Sequence, residues 1–422
     1  MRDKELNNDT DRTVKLGIGL ATGRRSFKKV LLSYISIWHE TKNELPEGMK
    51  VELSLFVSYD LDYQNTRSTD FTNLSQEIVD AFEQIVFMGA KNASQSISKL
   101  AAHGEFTPDA IKTVFGSGYA GKRNAVLLSA IEHGMDYLLF LDDDEYPMAV
   151  TCSKNVCLWS GQRVFLSHLK EIADADYTNG HHCGYVSPIP QISFDERLLE
   201  EDFMLFIEAI SNDIISCDKM NELRKTGGVT YSSVGVLSRE EAAEVPWINN
   251  CRFVSGANLC INLKDPSRTF PFFNPPGARG EDTFLSTLLK DRKVVKVPCY
   301  TFHDGFSYYQ HILDGALPIR LKSISENSPR IVTRFVNACI GWVRYKPLLV
   351  YITQPDGYEE KMRDIRAALQ KSIPAFVDYF GDERFLNIPV EFEKYRKNVK
   401  RHYARFVLAQ NAWKEIIRFI RG

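Results

Sequence analysis

Four acidic residues follow directly on an apolar segment of strand length. The segment Tyr137–Leu141 reads YLLFL and continues into Asp142, Asp143, Asp144 and Glu145. Side chains alternate along an extended strand, so we expect Asp142 and Asp144 on one side and Asp143 on the other. Two carboxylates at the carboxyl end of a buried strand suit a hard divalent cation, and open α/β sheets bind ligands at that edge. The alternative is an acidic loop exposed to solvent.

A glycine-rich segment with two basic residues precedes this strand. Gly116–Lys122 reads GSGYAGK, the spacing of a P-loop, and the sequence places it between a short predicted strand, Ile111–Phe115, and a predicted helix, Gly121–His133. The next residue is Arg123, where a P-loop needs serine or threonine to hold magnesium. Lys122 and Arg123 at a helix N-terminus would still attract an anion. A solvated basic first turn is the alternative.

A second glycine pattern lies near the start of the chain. Gly17, Gly19 and Gly23 approach the fingerprint of a dinucleotide-binding turn, but two of them fall inside a predicted strand. Asp60 also lies too far along the chain to bind a cofactor ribose in that motif. We therefore expect Gly19 to allow close packing in a sheet.

The chemistry requires a fold that brings strand ends together. The strands are predicted over 14–21, 51–59, 111–115, 137–141, 184–189, 252–263 and 294–302, and the helices over 26–40, 71–103, 121–133, 163–174, 196–212 and 281–289. Strands that alternate with helices predict an α/β fold with a mostly parallel central sheet and helices on both faces. From about residue 306 the sequence is helical, aromatic and increasingly basic.

Composition describes an ordinary soluble globular protein. The chain has 422 residues, 44% of them hydrophobic and 25% charged, with a formal net charge of -2. That charge gives no sign of a nucleic-acid partner. The eight cysteines have no repeated spacing and are expected to be reduced thiols, which suggests a cytoplasmic protein.

Four motifs in order along the chain resemble the GT-A glycosyltransferases, especially the large family of inverting enzymes typified by polysaccharide synthases and capsule or lipopolysaccharide transferases. They are GKRNA, LFLDDDE, GARGEDTFL and FHDG, and the resemblance covers residues 14–305. It implies a GT-A catalytic domain over 14–305. The polar residues 1–13 are expected to form a flexible N-terminus, and residues 306–422 a helical C-terminal extension. The resemblance also implies transfer of a hexose-like sugar from a nucleotide-sugar donor.

The resemblance assigns a metal site and a donor site. It implies Asp144 as a ligand of Mn²⁺ or Mg²⁺, Asp142 near the donor ribose or the metal, and His303 as a further ligand. Asp143 lies beside them as a donor-binding residue. A divalent metal would stabilise the charge that develops on the departing diphosphate of a UDP- or GDP-sugar.

Other residues surround that site in the same assignment. The resemblance implies Asp282 as the base that takes the proton of the acceptor hydroxyl, with Glu281 beside it, at a helix start whose dipole favours the anionic form. Helix capping is the alternative for both acids. Asp60, with Asp62 as a competing choice, would bind the nucleobase, and Lys122 and Arg123 would bind the donor. Arg24 and Arg25, in the first loop, would contact phosphate or face solvent.

The last segment of the chain leaves its partner open. Nine lysines and arginines and one acid, Glu415, lie between Lys394 and Gly422, interleaved with aromatic and aliphatic residues. A helix of this kind suits an anionic membrane surface, which would make the protein peripheral to the inner face of the membrane. Packing on residues 306–390 or on a second subunit of a homo-oligomer is the alternative.

Two other function classes stay open at this point. One is a P-loop-like NTPase or kinase that uses Gly116–Lys122. The other is a non-catalytic nucleotide-sugar binder or scaffold. For the glycosyltransferase, the acceptor is expected to be a hydroxyl of a glycan or of a lipid-linked glycan.

Overall fold

The computed structural model describes residues 12–89, 100, 106–116, 118–211, 222–223, 225–239, 241–312 and 315–421. The strands are β1 (Arg12–Thr22), β2 (Met49–Tyr59), β3 (Gln84–Met88), β4 (Tyr137–Leu141), β5 (Glu145–Tyr146), β6 (Met148–Ser153), β7 (Val156–Gly161), β8 (Tyr177–Gly184), β9 (Ala243–Glu244), β10 (Leu259–Asn262) and β11 (Val294–His303).

The helices are α1 (Phe27–Thr41), α2 (Ser68–Thr72), α3 (Gln76–Asp80), α4 (Pro108–Phe115), α5 (Tyr119–Glu132), α6 (Val164–Glu171), α7 (Glu200–Ile210), α8 (Val234–Leu237), α9 (Glu281–Ser286), α10 (Pro329–Thr353), α11 (Tyr358–Phe380), α12 (Asn387–Lys397) and α13 (Val399–Arg421). Short 3₁₀ turns cover Lys42–Glu44, Ile172–Asp174, Pro266–Arg268 and Glu383–Leu386.

A curled, mixed sheet forms the centre of the α/β fold. Its order is β3-β2-β1-β4-β10-β8-β11-β5, and β9 pairs with β11. The first four strands are mutually parallel, whereas β10 is antiparallel to both of its neighbours. The expectation of a mostly parallel sheet therefore describes only the first half. Because β11 is parallel to β8, the strands β1, β2, β4, β8 and β11 all end at one edge.

The region expected to be helical over 71–103 contains a strand instead. Residues 84–88 form β3 beside β2, and between residue 71 and β3 only the end of α2 and the short helix α3 are helical. The sequence QIVFM there is rich in β-branched and aromatic residues, which fit a pleated surface. Residues 90–99 and 101–103 of that expectation lie outside the described part of the chain.

The strand expected over Ile111–Phe115 is also wrong, because this segment belongs to α4. Thr107 caps the helix, since its Oγ1 accepts a hydrogen bond from the backbone N–H of Ala110 at 3.2 Å. Pro108 occupies the first turn, where its fixed backbone angle favours a helix. This capping signal outweighs the strand propensity of the short apolar run.

Two further strands are displaced from their expected positions. The strand expected over 184–189 is β8, Tyr177–Gly184, which ends at Gly184 with φ +87°. Of the segment 252–263, only β10 is extended in the sheet. The residues before β10 form a loop at the edge where the parallel strands end, and the chain enters β10 from that edge.

Two layers of apolar side chains cover the sheet. One contains Leu16 and Leu139 with Phe27 of α1 and Phe165 of α6. On the other face, a Cβ at Gly19 would lie 2.8 Å from Val126 of α5, so the glycine lets this helix approach β1. This confirms the packing role expected for Gly19.

The C-terminal helices share a hydrophobic core with that second face. The cluster that contains Val126 also contains Phe335 of α10, and Phe406 and Trp413 of α13. Phe406 contacts Phe273 and Phe284, with ring centroids 5.5 and 5.9 Å away. Among the described residues, no helix has the length and apolar character needed to cross a bilayer.

Candidate functional site

A cleft of about 850 Å³ opens at the edge where these strands end. The chain places β2 and β3 on one side of β1 and β4 on the other, so the strand order reverses between β1 and β4. Ligands of open α/β sheets bind outside the carboxyl ends at such a switch point. Ala21 near the end of β1, Arg24 after β1 and Asp142 after β4 line the cleft at this point, and α10 forms the opposite wall.

The structure brings Asp144 and His303 together from separate segments. Asp144 Oδ2 lies 3.4 Å from His303 Nε2, and the backbone N–H of Asp304 donates to the Asp144 carbonyl at 2.8 Å. His303 Nδ1 lies 2.6 Å from the carbonyl of Tyr185, which fixes the orientation of the ring. The end of β11 is thus held against the acidic turn.

The pair is strongly polarised. Burial favours the neutral carboxyl, but His303 and then Arg24 more than offset it and hold the pKa of Asp144 far below its usual value. Burial likewise opposes the charge of His303, yet Asp144 raises the pKa of that imidazole to about 9. A metal that bound here would have to displace the imidazole proton.

Arg24 neutralises two of the acids. Its Nη1 donates to Asp143 Oδ1 at 3.0 Å and also to Asp144 Oδ2, while Thr22 Oγ1 donates to Asp143 Oδ2 at 2.6 Å. Asp143 is buried, with 4% of its surface exposed. Arg24 therefore lies in the cleft. The sequence had allowed either contact with phosphate or exposure to solvent for this residue.

Asp142 has a different partner. Arg123 Nη2 donates to Asp142 Oδ1 at 2.8 Å, and Arg123 Nε lies 3.6 Å from Glu281 Oε1. Arg123 Nη1 also donates to the carbonyl of Gly256. The expected grouping of Asp142 with Asp144, opposite Asp143, is wrong, because the strand ends at Leu141 and the alternation stops in the turn that follows.

Asp60 and Lys122 pair with each other beside the cleft. Lys122 Nζ donates to Asp60 Oδ2 at 2.8 Å, and the backbone N–H of Asp62 donates to Asp60 Oδ1 at 3.0 Å. Their neighbours Tyr63 and Tyr119 line the cleft, whereas Asp60 and Lys122 do not. The segment before Lys122 follows helix α4, so the strand that a P-loop requires there is replaced by a helix; Ser117 lies outside the described residues.

Glu281 and Asp282 begin helix α9, as the sequence predicts. Gly280 precedes them with φ +101°, and a side chain there would lie 2.9 Å from the ring of Tyr345. Glu281 lines the cleft, while Asp282 Oδ1 accepts a hydrogen bond from the backbone N–H of Thr283 at 2.8 Å. Both acids lie near Arg123, which links them electrostatically to the strand end.

The protonation of Asp282 differs from the expectation. Burial and the neighbouring Glu281 raise the pKa of Asp282 to about 6, although backbone hydrogen bonds and Arg123 act in the opposite direction. The helix dipole was expected to favour the anion, but α9 is only six residues long and desolvation outweighs it. A carboxyl with this pKa suits proton abstraction near neutral pH.

Helix α10 forms a wall of the cleft that the sequence motifs did not indicate. The polar members of its cleft-lining stripe recur at intervals of three, four or seven residues, which places them on one helical face. They are Arg330, Thr333, Arg334, Asn337 and Arg344. This polar stripe in an otherwise apolar helix was visible in the sequence, but the sequence did not show what the stripe faced.

The residues fit a divalent cation held by two protein ligands. Metal–ligand bonds of roughly 2.1 Å at right angles separate two ligand atoms by about 3 Å, close to the distance between Asp144 and His303. In the parts of the chain that are described, no three or more His, Cys, Asp or Glu side chains form a metal-binding group. A bound diphosphate and water would therefore complete the coordination, as is common for Mg²⁺.

Comparison with known proteins adds no assignment to this geometry. A scan against protein-family models gives no match to the chain, and neither does a search of curated proteins. The cleft and its residues are therefore the only basis for a functional assignment among the described residues.

Proposed function

We propose that the protein is a metal-dependent glycosyltransferase of the GT-A type that transfers a sugar, with inversion, from a nucleoside-diphosphate sugar to an acceptor hydroxyl. The observation that supports this most directly is the Asp144–His303 pair in a large cleft at the switch point of the sheet. The same cleft contains Glu281 at the start of α9. The four motifs therefore converge on one volume, as a shared donor and acceptor site requires.

In this proposal Asp144 and His303 hold the cation. When bound, the cation stabilises the negative charge that builds on the leaving diphosphate. Arg24 and Arg123 provide guanidinium groups at the carboxyl edge of the sheet, and both lie beside acids rather than in open solvent. Such preorganised groups can orient a diphosphate at little reorganisation cost.

The acidic pair at α9 completes the reaction. The acceptor oxygen forms a bond to the anomeric carbon as the bond from that carbon to the donor phosphate oxygen breaks. The proton of the acceptor hydroxyl passes to the carboxylate of Asp282, while Glu281, in the cleft wall, orients the acceptor. Inversion follows from a single displacement, and it remains part of the proposal.

Donor binding tests this function. UDP-, GDP- and CMP-sugars are screened by thermal shift with and without Mn²⁺, and release of nucleoside diphosphate is measured for those that bind. We expect one diphosphate donor to stabilise the protein only with metal, and Asp144→Asn to abolish both effects without loss of the fold. Asp174→Asn is the matched control, because it changes an exposed acid that precedes β8, at the opposite edge of the sheet.

The same measurements separate the other function classes. Metal-dependent binding without turnover in the presence of varied acceptors would indicate a non-catalytic binder. ATP binding that is lost in Lys122→Ala and unaffected in Asp144→Asn would indicate an NTPase. Full activity of Asp144→Asn would refute the site assignment.

A further inference from the structure

The cleft contains more positive charge than its acids balance. Six arginines line it, and three of them are paired with carboxylates. The paired ones are Arg24 with Asp143 and Asp144, Arg123 with Asp142 and Glu281, and Arg344 with Glu391 at 2.7 Å. Within the described part of the chain, Arg279, Arg330 and Arg334 form no ion pair.

The segment after β11 holds two of these three arginines in place. Arg330 Nη2 donates to the carbonyl of Phe306 at 2.9 Å, and the guanidinium of Arg334 lies over the Phe306 ring, 4.6 Å from its centroid. A side chain at Gly305 would lie 2.7 Å from Arg334 Nη2 and 2.8 Å from His303 Cε1. The glycine thus allows Arg334 to lie beside His303.

Like charges surround Arg334. The positive charges of Arg24 and Arg279 repel that of Arg334. Asp144, which Arg24 and His303 already share, provides the main attraction to it. Arg279 is exposed and precedes Glu281 by two residues, so it marks the side of the cleft that holds the proposed base. The three guanidinium groups therefore extend from the proposed cation to the proposed base.

A donor alone would not neutralise these groups under the proposed function. The two negative charges of a nucleoside-diphosphate sugar are offset by one divalent cation. Arg334 then remains half-buried without a carboxylate of its own, where uncompensated charge is costly, and the exposed Arg279 and Arg330 add two unpaired guanidinium groups beside it. An additional anion of high charge would balance these three groups.

We propose that Arg279, Arg330 and Arg334 bind a phosphate group carried by the acceptor. The inference rests on the proposed function, since it takes the other half of the cleft as the donor site. The planar fork of a guanidinium matches two phosphate oxygens, and several arginines together recognise a dianion far better than a carboxylate monoanion. A phosphate held there would place a nearby acceptor hydroxyl between Asp282 and the donor.

Binding of methyl phosphate to the full chain tests the site. Its dissociation constant is measured by ³¹P NMR, alone and with saturating UDP or GDP and Mg²⁺. We expect binding in both conditions, and about tenfold or greater weakening in Arg330→Gln/Arg334→Gln, because charge-assisted hydrogen bonds to the phosphate are lost. Arg320→Gln, which removes an exposed arginine outside the cleft, is the matched control and should bind normally.

Several results would overturn the inference. They are displacement of methyl phosphate by the nucleotide and Mg²⁺, equal binding of acetate, and normal binding by the folded double variant. If that variant does not fold, Arg330→Lys/Arg334→Lys, which keeps the charges, should bind, and loss of charge at Arg279→Gln alone should weaken binding. If neither nucleotide binds while the arginine variants still weaken methyl phosphate binding, the donor proposal fails and the anion site stands.

Two sources of the phosphate are separable. Phosphatidylcholine vesicles with and without phosphatidic acid are compared with soluble glucose 6-phosphate as ligands. Vesicle binding that depends on phosphatidic acid and on Arg330 and Arg334 would indicate a membrane-borne acceptor. Binding of glucose 6-phosphate alone, with the same dependence, would indicate a soluble phosphorylated glycan.

Discussion

At the scale of single residues, the cleft is organised by cationic partners for its acids. Asp142 pairs with Arg123, whereas Asp143 and Asp144 share Arg24. His303 adds a second cationic partner to Asp144. Because these pairs join four separate segments, each acid has its own electrostatic environment despite being adjacent in sequence.

The proposed base gives a pH-dependent prediction. Asp282 has a pKa raised to about 6, so donor turnover should rise with pH through about 6 as this carboxyl ionises. Asp282→Asn should lower kcat by about 10²–10⁴-fold and remove that rise. The measurement is nucleoside diphosphate release against pH, with Glu281, Arg123 and Tyr345 as the ionisable groups that surround the base.

The companion variant separates the roles of the two acids. Glu281→Gln should mainly raise the KM for acceptor, because Glu281 lines the cleft and contacts Arg123, and should keep the rise of turnover with pH but move it to lower pH, because Glu281 helps to raise the pKa of Asp282. A variant at Glu281 that loses the rise, with a normal profile in Asp282→Asn, would reverse the assignment. The pH dependence of stability is opposite to that of turnover. The raised pKa of the Asp282 carboxyl stabilises the folded state below about pH 4, and this contribution is lost as pH rises through 6.

Some of these residues were accessible from sequence and others were not. Asp144 and His303 stand in short motifs with a fixed order, so their meeting could be expected from the resemblance. The pairing of Arg24 with acids about 120 positions later depends on the parallel neighbours β1 and β4, which bring both strand ends together. Arg279 stands within the GARGEDTFL motif, but its lack of an acidic partner is visible only in three dimensions.

At the scale of elements, helix α10 connects the C-terminal region to the site. Its apolar face includes Phe335 and Val343, which are fully buried, and its polar stripe lines the cleft. Hydrophobic periodicity identifies the buried face of a helix but not what lies opposite its polar face. For α4, the short run IKTVF was ambiguous between helix and strand, and only the Thr107-Pro108 cap decides it.

Gly341 tests the wall that α10 forms. A Cβ at this position would meet no atom within 4 Å, and the residue lies inside the helix on the cleft side. Gly341→Ala should therefore raise the free energy of unfolding by about 0.5–1 kcal/mol, because alanine loses less backbone entropy. Gly341→Leu should keep the fold and weaken donor or methyl phosphate binding by filling the cleft.

Chemical denaturation and ligand titration of both variants provide the measurement. Gly357→Ala, at the N-cap of α11 with equally open surroundings, is a control for the effect on ligand affinity outside the cleft. Unchanged affinity in a folded Gly341→Leu would show that this part of the wall does not face a ligand.

At the scale of the whole molecule, the sheet and the C-terminal helices form a continuous structure. The aromatic contacts of Phe406 with Phe273 and Phe284 join α13 to the loop and helix that contain the GARGEDTFL motif. Sequence could predict the helices of this region, but the same basic, aromatic pattern fits a membrane surface and a packed core. The structure buries the apolar residues Phe406, Trp413 and Ile416 in the core.

Trp413 distinguishes packing from membrane contact. Its side chain is 1% exposed, and its Nε1 donates to Thr269 Oγ1 at 3.0 Å. Trp413→Ala should lower the free energy of unfolding by about 3–5 kcal/mol, because it leaves a large cavity and removes the hydrogen bond to Thr269. Urea denaturation followed by circular dichroism measures this, and Lys414→Ala, on the exposed face of the same helix, should change stability by less than about 0.5 kcal/mol.

Vesicle flotation completes the comparison. If the apolar face of α13 is committed to the core, any attraction to anionic vesicles comes from its exposed lysines and arginines, weakens with salt and falls in Lys414→Ala more than in folded Trp413→Ala. The opposite result, with vesicle binding lost in Trp413→Ala and stability nearly unchanged, would show that the helix inserts its apolar side chains into lipid. That result would also mean that α13 does not pack in the core that supports α9 and its two acids.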